Sequence, residues 1–84
     1  MNNAIEEAAF EVLTSIVEKE FTQMQNNISI LSPDIVLNKL EYLSGMARYF
    51  NALFPGNERE VLNEWEWITE RFLNLAEIVR KTQG

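Results

Sequence analysis

The stretch "FPGNERE", residues 54–60, ends one helix and begins another, and with one earlier break it decides the fold. The proline that follows Phe54 pushes that residue out of helical backbone angles, and Gly56 favours a turn. Asn57, followed three residues later by Glu60, is typical of a capping box, in which two side chains bind free backbone N–H groups at a helix start. The pattern therefore predicts a tight connection between two helices.

The earlier break is "NNISILSPD", residues 26–34. Its two asparagines favour the end of a helix. Ser32 is a favourable N-cap, Pro33 suits the first helical position, and Asp34 suits the positively polarised first turn. A strand at "ISIL" has too few residues and no partner strand, so this segment is predicted to connect two helices.

Apolar residues recur at helical spacing in the three segments that these breaks separate. The sequence predicts helices over residues 3–26, 34–54 and 58–82. Because the connections are short, consecutive helices are expected to be antiparallel. The prediction is an all-α, up-down-up three-helix bundle in one domain, residues 1–84, which could self-associate because a core this small is marginal alone.

Helices 2 and 3 each gather apolar residues on one side. On helix 3 the predicted core face contains Val61, Leu62, Trp65, Ile68, Phe72, Leu75, Ala76 and Val79. On helix 2 the apolar arc covers about half of the circumference. It contains Ile35, Val36, Leu40, Leu43, Met46, Ala47, Tyr49, Phe50, Leu53 and Phe54.

Helix 1 has two apolar arcs rather than one. The arc of its first half contains Ile5, Ala9, Val12 and Ile16, and lies about 100° from the arc of its second half. The second arc contains Phe10, Leu13, Val17, Phe21, Met24 and Ile28. Two interpretations stay open: helix 1 packs between the two other helices along a drifting seam, or one arc faces the core and the other faces a second chain.

Composition excludes most chemistry. The chain has no cysteine and no histidine, so it lacks thiol nucleophiles, disulfides, the commonest transition-metal ligands and the easiest general base. Its glutamate pairs fall on polar arcs, and no glycine-rich phosphate loop is present. We therefore expect no catalytic residues, no metal, no cofactor and no small-molecule substrate. The net charge of −6 argues against direct nucleic-acid binding.

No stretch is long and apolar enough to cross a bilayer, and the glutamates near the start do not fit a signal peptide. We expect a cytoplasmic protein, in a bacterium or a host cell, without membrane contact. Two glutamates within the apolar arc of helix 1, Glu6 and Glu20, are expected at its rim or in a charged contact, with Lys39 as one candidate.

The two tryptophans of "NEWEWITERF", residues 63–72, cannot face the same core from one helix. Trp65 lies on the predicted core face. Trp67 lies about 200° away on the helical wheel, on one stripe with Arg71, Asn74 and Ile78. An aromatic, an arginine and an aliphatic side chain together resemble a protein-interface hot spot. The alternative is that Trp67 lies flat over the bundle edge.

Glu7, Glu11 and Glu18 form an acidic stripe on helix 1, whose segment carries most of the negative charge. The simpler interpretation is a solvated face. The functional alternative is docking against a basic protein surface, by analogy with phage-encoded inhibitors of restriction and CRISPR systems that imitate DNA phosphates. No motif connects this chain to such a family.

The sequence thus predicts a small acidic, non-enzymatic helical module that binds a protein partner or a second copy of itself through a helix face. The alternative function is a small inhibitor that blocks a nucleic-acid-handling protein with its acidic stripe.

Overall fold

Residues 4–83 form three helices and two connections in a computed structural model. Helix α1 spans Ala4–Gln25, α2 spans Pro33–Leu53 and α3 spans Glu58–Gln83. A single 3₁₀ turn, Ile28–Ile30, lies between α1 and α2. The predicted all-α three-helix bundle is confirmed, and each helix boundary within the described residues lies within one residue of the prediction. The predicted start at residue 3 lies outside the described residues.

The first connection follows the cap chemistry of its sequence. The side-chain amide of Asn27 donates a 2.6 Å hydrogen bond to the Gln23 carbonyl at the end of α1. Ser32 Oγ accepts a 3.3 Å hydrogen bond from the backbone N–H of Ile35, and Pro33 takes the first helical position. The first four backbone N–H groups of a helix have no partner within the helix. Pro33 has no N–H, and Ser32 provides an acceptor for the N–H of Ile35, so both residues favour a helix that begins here.

The second connection is organised by Asn57, whose side chain is only 3% exposed. Its Nδ2 donates to the Phe54 carbonyl at 3.2 Å and to Glu6 Oε2 at 3.0 Å. Gly56 adopts a positive φ of 102°, and its N–H donates to Glu58 Oε2 at 2.9 Å. One amide therefore joins the start of α1 to the turn between α2 and α3. The predicted pairing of Asn57 with Glu60 stays a prediction.

The core runs along the inner strip of each helix. On α3 the predicted face is confirmed except at Leu62, which is exposed. Leu62 belongs to the edge of the arc, where neither α1 nor α2 reaches it. The buried core residues of the bundle are Leu13, Val17, Phe21, Met24, Leu31, Val36, Leu43, Ala47, Phe50, Val61, Ile68, Phe72, Leu75, Ala76 and Val79.

Trp65 packs against this core, as predicted, and is partly buried. Its indole Nε1–H donates a 2.9 Å hydrogen bond to Ser44 Oγ on α2, and Ser44 in turn donates to the Leu40 carbonyl at 2.8 Å. Ser44 thus gives the indole N–H a partner that the core cannot supply.

The bundle is long and thin, with extents of 46 × 18 × 16 Å. Its radius of gyration is 14.0 Å, against about 12 Å for a typical domain of this length. When three helices pack side by side, the outer side of each helix stays in water. A wide apolar arc on one helix therefore cannot be covered completely by the other two. None of the helices in residues 4–83 has the length and apolar character that a membrane crossing needs.

Replacing Asn57 tests the joint between α1 and the second connection. We expect Asn57→Ala to lower the free energy of unfolding by about 1–3 kcal/mol, because it removes the buried donor to Phe54 and Glu6 at a helix start. Urea denaturation measures the change. Asn63→Ala is the matched control, since Asn63 is exposed within α3 and its replacement favours helix. Equal stability of the two variants would contradict the role assigned to Asn57.

Candidate functional site

The predicted stripe on α3 has two faces of different character. Trp67 and Ile78 are each 51% exposed, and Asn74 is exposed beside them. Arg71 does not point outward with them. It turns towards α1 and forms two hydrogen bonds with the Glu18 carboxylate, the longer of which joins Nη2 to Oε2 at 3.3 Å.

The Arg71 guanidinium also lies between two aromatic rings. Its centre is 4.2 Å from the ring centroid of Phe21 on α1 and 4.4 Å from that of Trp67. Each of these stacked contacts is favourable because a cation is attracted to the ring face. Arg71 is therefore a fixed joint between α1 and α3, and the Trp67 ring is half covered by this joint.

The acidic stripe on α1 is divided by the same contact. Glu7 and Glu11 are exposed, whereas Glu18 is paired with Arg71. The two other glutamates in doubt also have partners within the chain. Glu6 accepts the hydrogen bond from Asn57, and Glu20 forms a 3.1 Å ion pair with Lys39, the residue that the sequence had suggested as its candidate.

A concave surface lies elsewhere, between α1 and α2 on the side away from α3. It is an open groove with a volume of about 800 Å³. We call it the α1–α2 groove. Most of its lining is apolar, with two charged side chains, Glu41 and Arg48, at its α2 edge. The lining residues are Ala9, Val12, Leu13, Ile16, Asn38, Glu41, Tyr42, Gly45, Met46, Arg48, Tyr49, Phe50, Leu53 and Phe54.

The two apolar arcs of helix 1 differ in burial. The second arc supplies the buried residues of α1. In the first arc Ile5 and Val12 are exposed, and Ala9 and Ile16 are partly buried. Ala9 and Ile16 of the first arc pack against the core, whereas Ile5 and Val12 do not, so both interpretations of helix 1 stay predictions.

The wide arc on α2 divides in the same way. Its predicted members Val36, Leu43, Ala47 and Phe50 are buried. Its predicted members Ile35, Tyr49 and Leu53 are exposed, because the arc is wider than the strip that α1 and α3 can cover. Tyr42, which the helical pattern had left out of the arc, is also 66% exposed on the groove edge.

Two exposed carboxyl groups have a lowered pKa. Hydrogen bonds from its own backbone N–H and from that of Gly56 lower the pKa of the Glu58 carboxyl. A hydrogen bond from Arg80 lowers the pKa of Glu77. A lowered pKa keeps a carboxyl ionised at neutral pH, which is the reverse of what a general acid needs. Among the described residues, no three acidic side chains converge on a point that could hold a metal ion.

Comparison of the chain with protein-family models, with curated proteins and with solved structures finds no match in any of the three. The candidate site therefore depends on the geometry alone.

The sequence pattern predicted the exposed Trp67 stripe but not the groove. Its signal was present in the excess width of the apolar arcs on helices 1 and 2, and in Tyr42 and Tyr49, which are seven residues apart on one side of α2. A helical wheel shows how wide an arc is, and neighbouring helices decide which part of it they cover.

Arg71 offers a stability test of the joint beside Trp67. We expect Arg71→Ala to lower the free energy of unfolding by about 1–2 kcal/mol, because it removes two cation–π contacts and a partly exposed ion pair. Glu18→Gln should cost less than about 1 kcal/mol, since the stacking survives. Arg80→Ala is the control, because Arg80 is exposed and pairs with Glu77 within α3. Denaturant titration in which Arg71→Ala and Arg80→Ala lose the same stability would contradict the joint.

Proposed function

We propose that this chain is a non-enzymatic protein-interaction module that receives a helix of a protein partner in the α1–α2 groove. The observation that carries the proposal is the groove itself, about 800 Å³ in volume and lined mainly by apolar side chains. Val12, Tyr42, Tyr49 and Leu53 are exposed there, and exposed apolar side chains that lie together favour an interaction site.

A helix is the occupant that the shape of the groove favours. The groove lies between two antiparallel helices, on the side opposite the one where α3 packs. Helices pack into the furrow between two neighbours at about 8–10 Å, and a fourth helix in this position would complete a four-helix bundle. Recognition of this kind uses apolar anchors at positions i, i+3 or i+4, and i+7.

The outer part of the Trp67 stripe is the second candidate surface for the same function. Trp67, Asn74 and Ile78 are available there, but the surface is convex, and Arg71 is engaged with Glu18 and Phe21. A concave apolar surface buries more of a partner than a convex one. The groove is therefore the better supported of the two.

The inhibitor hypothesis, with an acidic surface that imitates DNA, stays a prediction. It would use Glu7 and Glu11, because the third member of the acidic stripe is paired with Arg71. Binding that weakens steeply as salt rises would favour it, and binding that is insensitive to salt would count against it. The cytoplasmic location also stays a prediction.

Site-specific photo-crosslinking in the cells that make the protein tests which surface binds. A benzophenone amino acid would replace Tyr42 in the groove, Trp67 on the stripe or Glu70 on the exposed side of α3. We expect one discrete adduct band from position 42, and none from position 70. Adding Val12→Lys should abolish the position-42 adduct, because a charge would then stand on the apolar wall.

Val12 is 59% exposed, so the lysine is tolerated by the fold, which circular dichroism checks. A discrete adduct from position 67 alone would move the binding surface to the stripe. An adduct from position 42 that survives Val12→Lys would remove the groove from the proposal.

A further inference from the structure

We infer that the occupant of the α1–α2 groove is a second copy of this chain, packed antiparallel about Gly45 so that the two groove faces cover each other. This inference rests on the proposed function, because it names the partner of the same groove: a second copy, whose α2 is the helix that packs along the α2 side of the groove. It follows from the position of Gly45 and from the charges arranged on either side of it.

Gly45 lies in the middle of α2, on the side opposite its buried strip. A glycine there costs helix stability relative to alanine. Nothing in residues 4–83 requires it, since among them a Cβ at this position would meet only Arg48 Nη2, at an ordinary contact distance of 3.8 Å. The backbone angle does not require it either, because the one described glycine with positive φ is Gly56. A close approach by another backbone from outside is the remaining physical use of the missing side chain.

Charges of opposite sign stand on the two sides of this glycine. Glu41 precedes it by four residues and Arg48 follows it by three, so they lie about 6 Å and 4.5 Å away along the helix axis. Both side chains are exposed, and neither has an ion-pair partner among the described residues. Consider a two-fold axis that lies between the two copies and crosses α2 at right angles at Gly45. Rotation about this axis makes the two α2 helices antiparallel. It also places each Glu41 opposite Arg48 of the second copy.

The same two-fold axis also relates Tyr42 and Tyr49. Tyr42 and Tyr49 lie on the groove side of Gly45, three residues before it and four after it, and they are 66% and 67% exposed. The same axis stacks Tyr42 of one copy over Tyr49 of the other. A parallel pairing would instead place Glu41 opposite Glu41 and Arg48 opposite Arg48 of the second copy. Because these are contacts between like charges, the charges favour the antiparallel arrangement.

The exposed side chains of this face would form the centre of a dimer interface. A standard interface covers about 800 Å² on each partner. The two tyrosines alone expose roughly 200–300 Å² of ring surface. Exposed parts of Val12, Leu53 and the stems of Arg48 and Glu41 adjoin them. The face thus combines an apolar centre with a charged rim, which is the usual composition of such an interface.

Charge-reversal variants, alone and mixed, test the symmetric pairing. We expect the purified protein to sediment as a dimer at micromolar concentration. Glu41→Lys and Arg48→Glu should each raise the dissociation constant at least about 100-fold, since each creates two like-charge contacts. An equimolar mixture of the two variants should restore a dimer, because every contact in the mixed pair is again between opposite charges. The restored dimer also shows that both variants fold.

Ile78→Lys is the control, since Ile78 is exposed and lies on α3 outside the groove. It should leave the dimer unchanged. A dimer that survives both charge reversals but dissociates with Ile78→Lys would overturn the inference and the proposed groove together. A wild-type protein that stays monomeric, while position 42 crosslinks to another protein in cells, would overturn the inference and leave the proposed function standing.

Gly45 gives a second test in which two quantities change in opposite directions. Gly45→Ala should raise the midpoint of urea unfolding of the diluted, monomeric chain, because alanine favours helix and has room for its Cβ. The same substitution should weaken the dimer, and Gly45→Leu should raise its dissociation constant at least about 100-fold by separating the two α2 helices. Unchanged dimerisation of Gly45→Leu would overturn the inference.

Discussion

Three helices packed side by side can cover only one strip on each, and this limit on burial shapes the whole molecule. In a bundle 18 Å by 16 Å in cross-section, every helix has one side in water. Helix α3 fits the limit, because its apolar face is narrow and nearly all of it is buried. Helices α1 and α2 exceed it, and their uncovered halves meet on the side away from α3. The groove is the direct result of this excess.

The few polar contacts between helices explain why the excess collects on one side. Arg71 and Glu18 hold one edge of α1 against α3, and Asn57 holds the start of α1 through Glu6. Glu20 and Lys39 fix the other end of α1 against α2. With α1 held in this rotation, Ile5 and Val12 stay outside the core. A helix free to rotate could hide one arc at the expense of the other, but the charged contacts select a single orientation.

The fold could be predicted from local signals because those signals act between residues close in sequence. Ser32 caps a turn that begins beside it, and Pro55 acts on the residue before it. The surfaces could not be predicted in the same way. Trp65 meets Ser44 across 21 residues, and Arg71 meets Glu18 across 53.

Such pairs depend on the rotation of each helix and on the side from which the third helix packs, which hydrophobic patterning does not determine. Arg71 shows the consequence. By spacing alone it belongs to an outward stripe with Trp67 and Ile78, yet a long flexible side chain can turn to a neighbouring helix. The helical wheel places all four residues on one stripe. In the bundle, the Arg71 side chain contacts α1 instead of pointing outward with the other three.

Gly45 affects both the stability of the bundle and its proposed association. A chain of 84 residues has a small core and little stability to spare, so a glycine in a helix interior is a real cost, about 1 kcal/mol relative to alanine. A partner that binds only the folded chain adds stability in proportion to its concentration and affinity. If that partner is a second copy, Gly45 destabilises α2 in the single chain but lets the α2 helices of two copies approach closely. The free energy of association then offsets the lost helix stability.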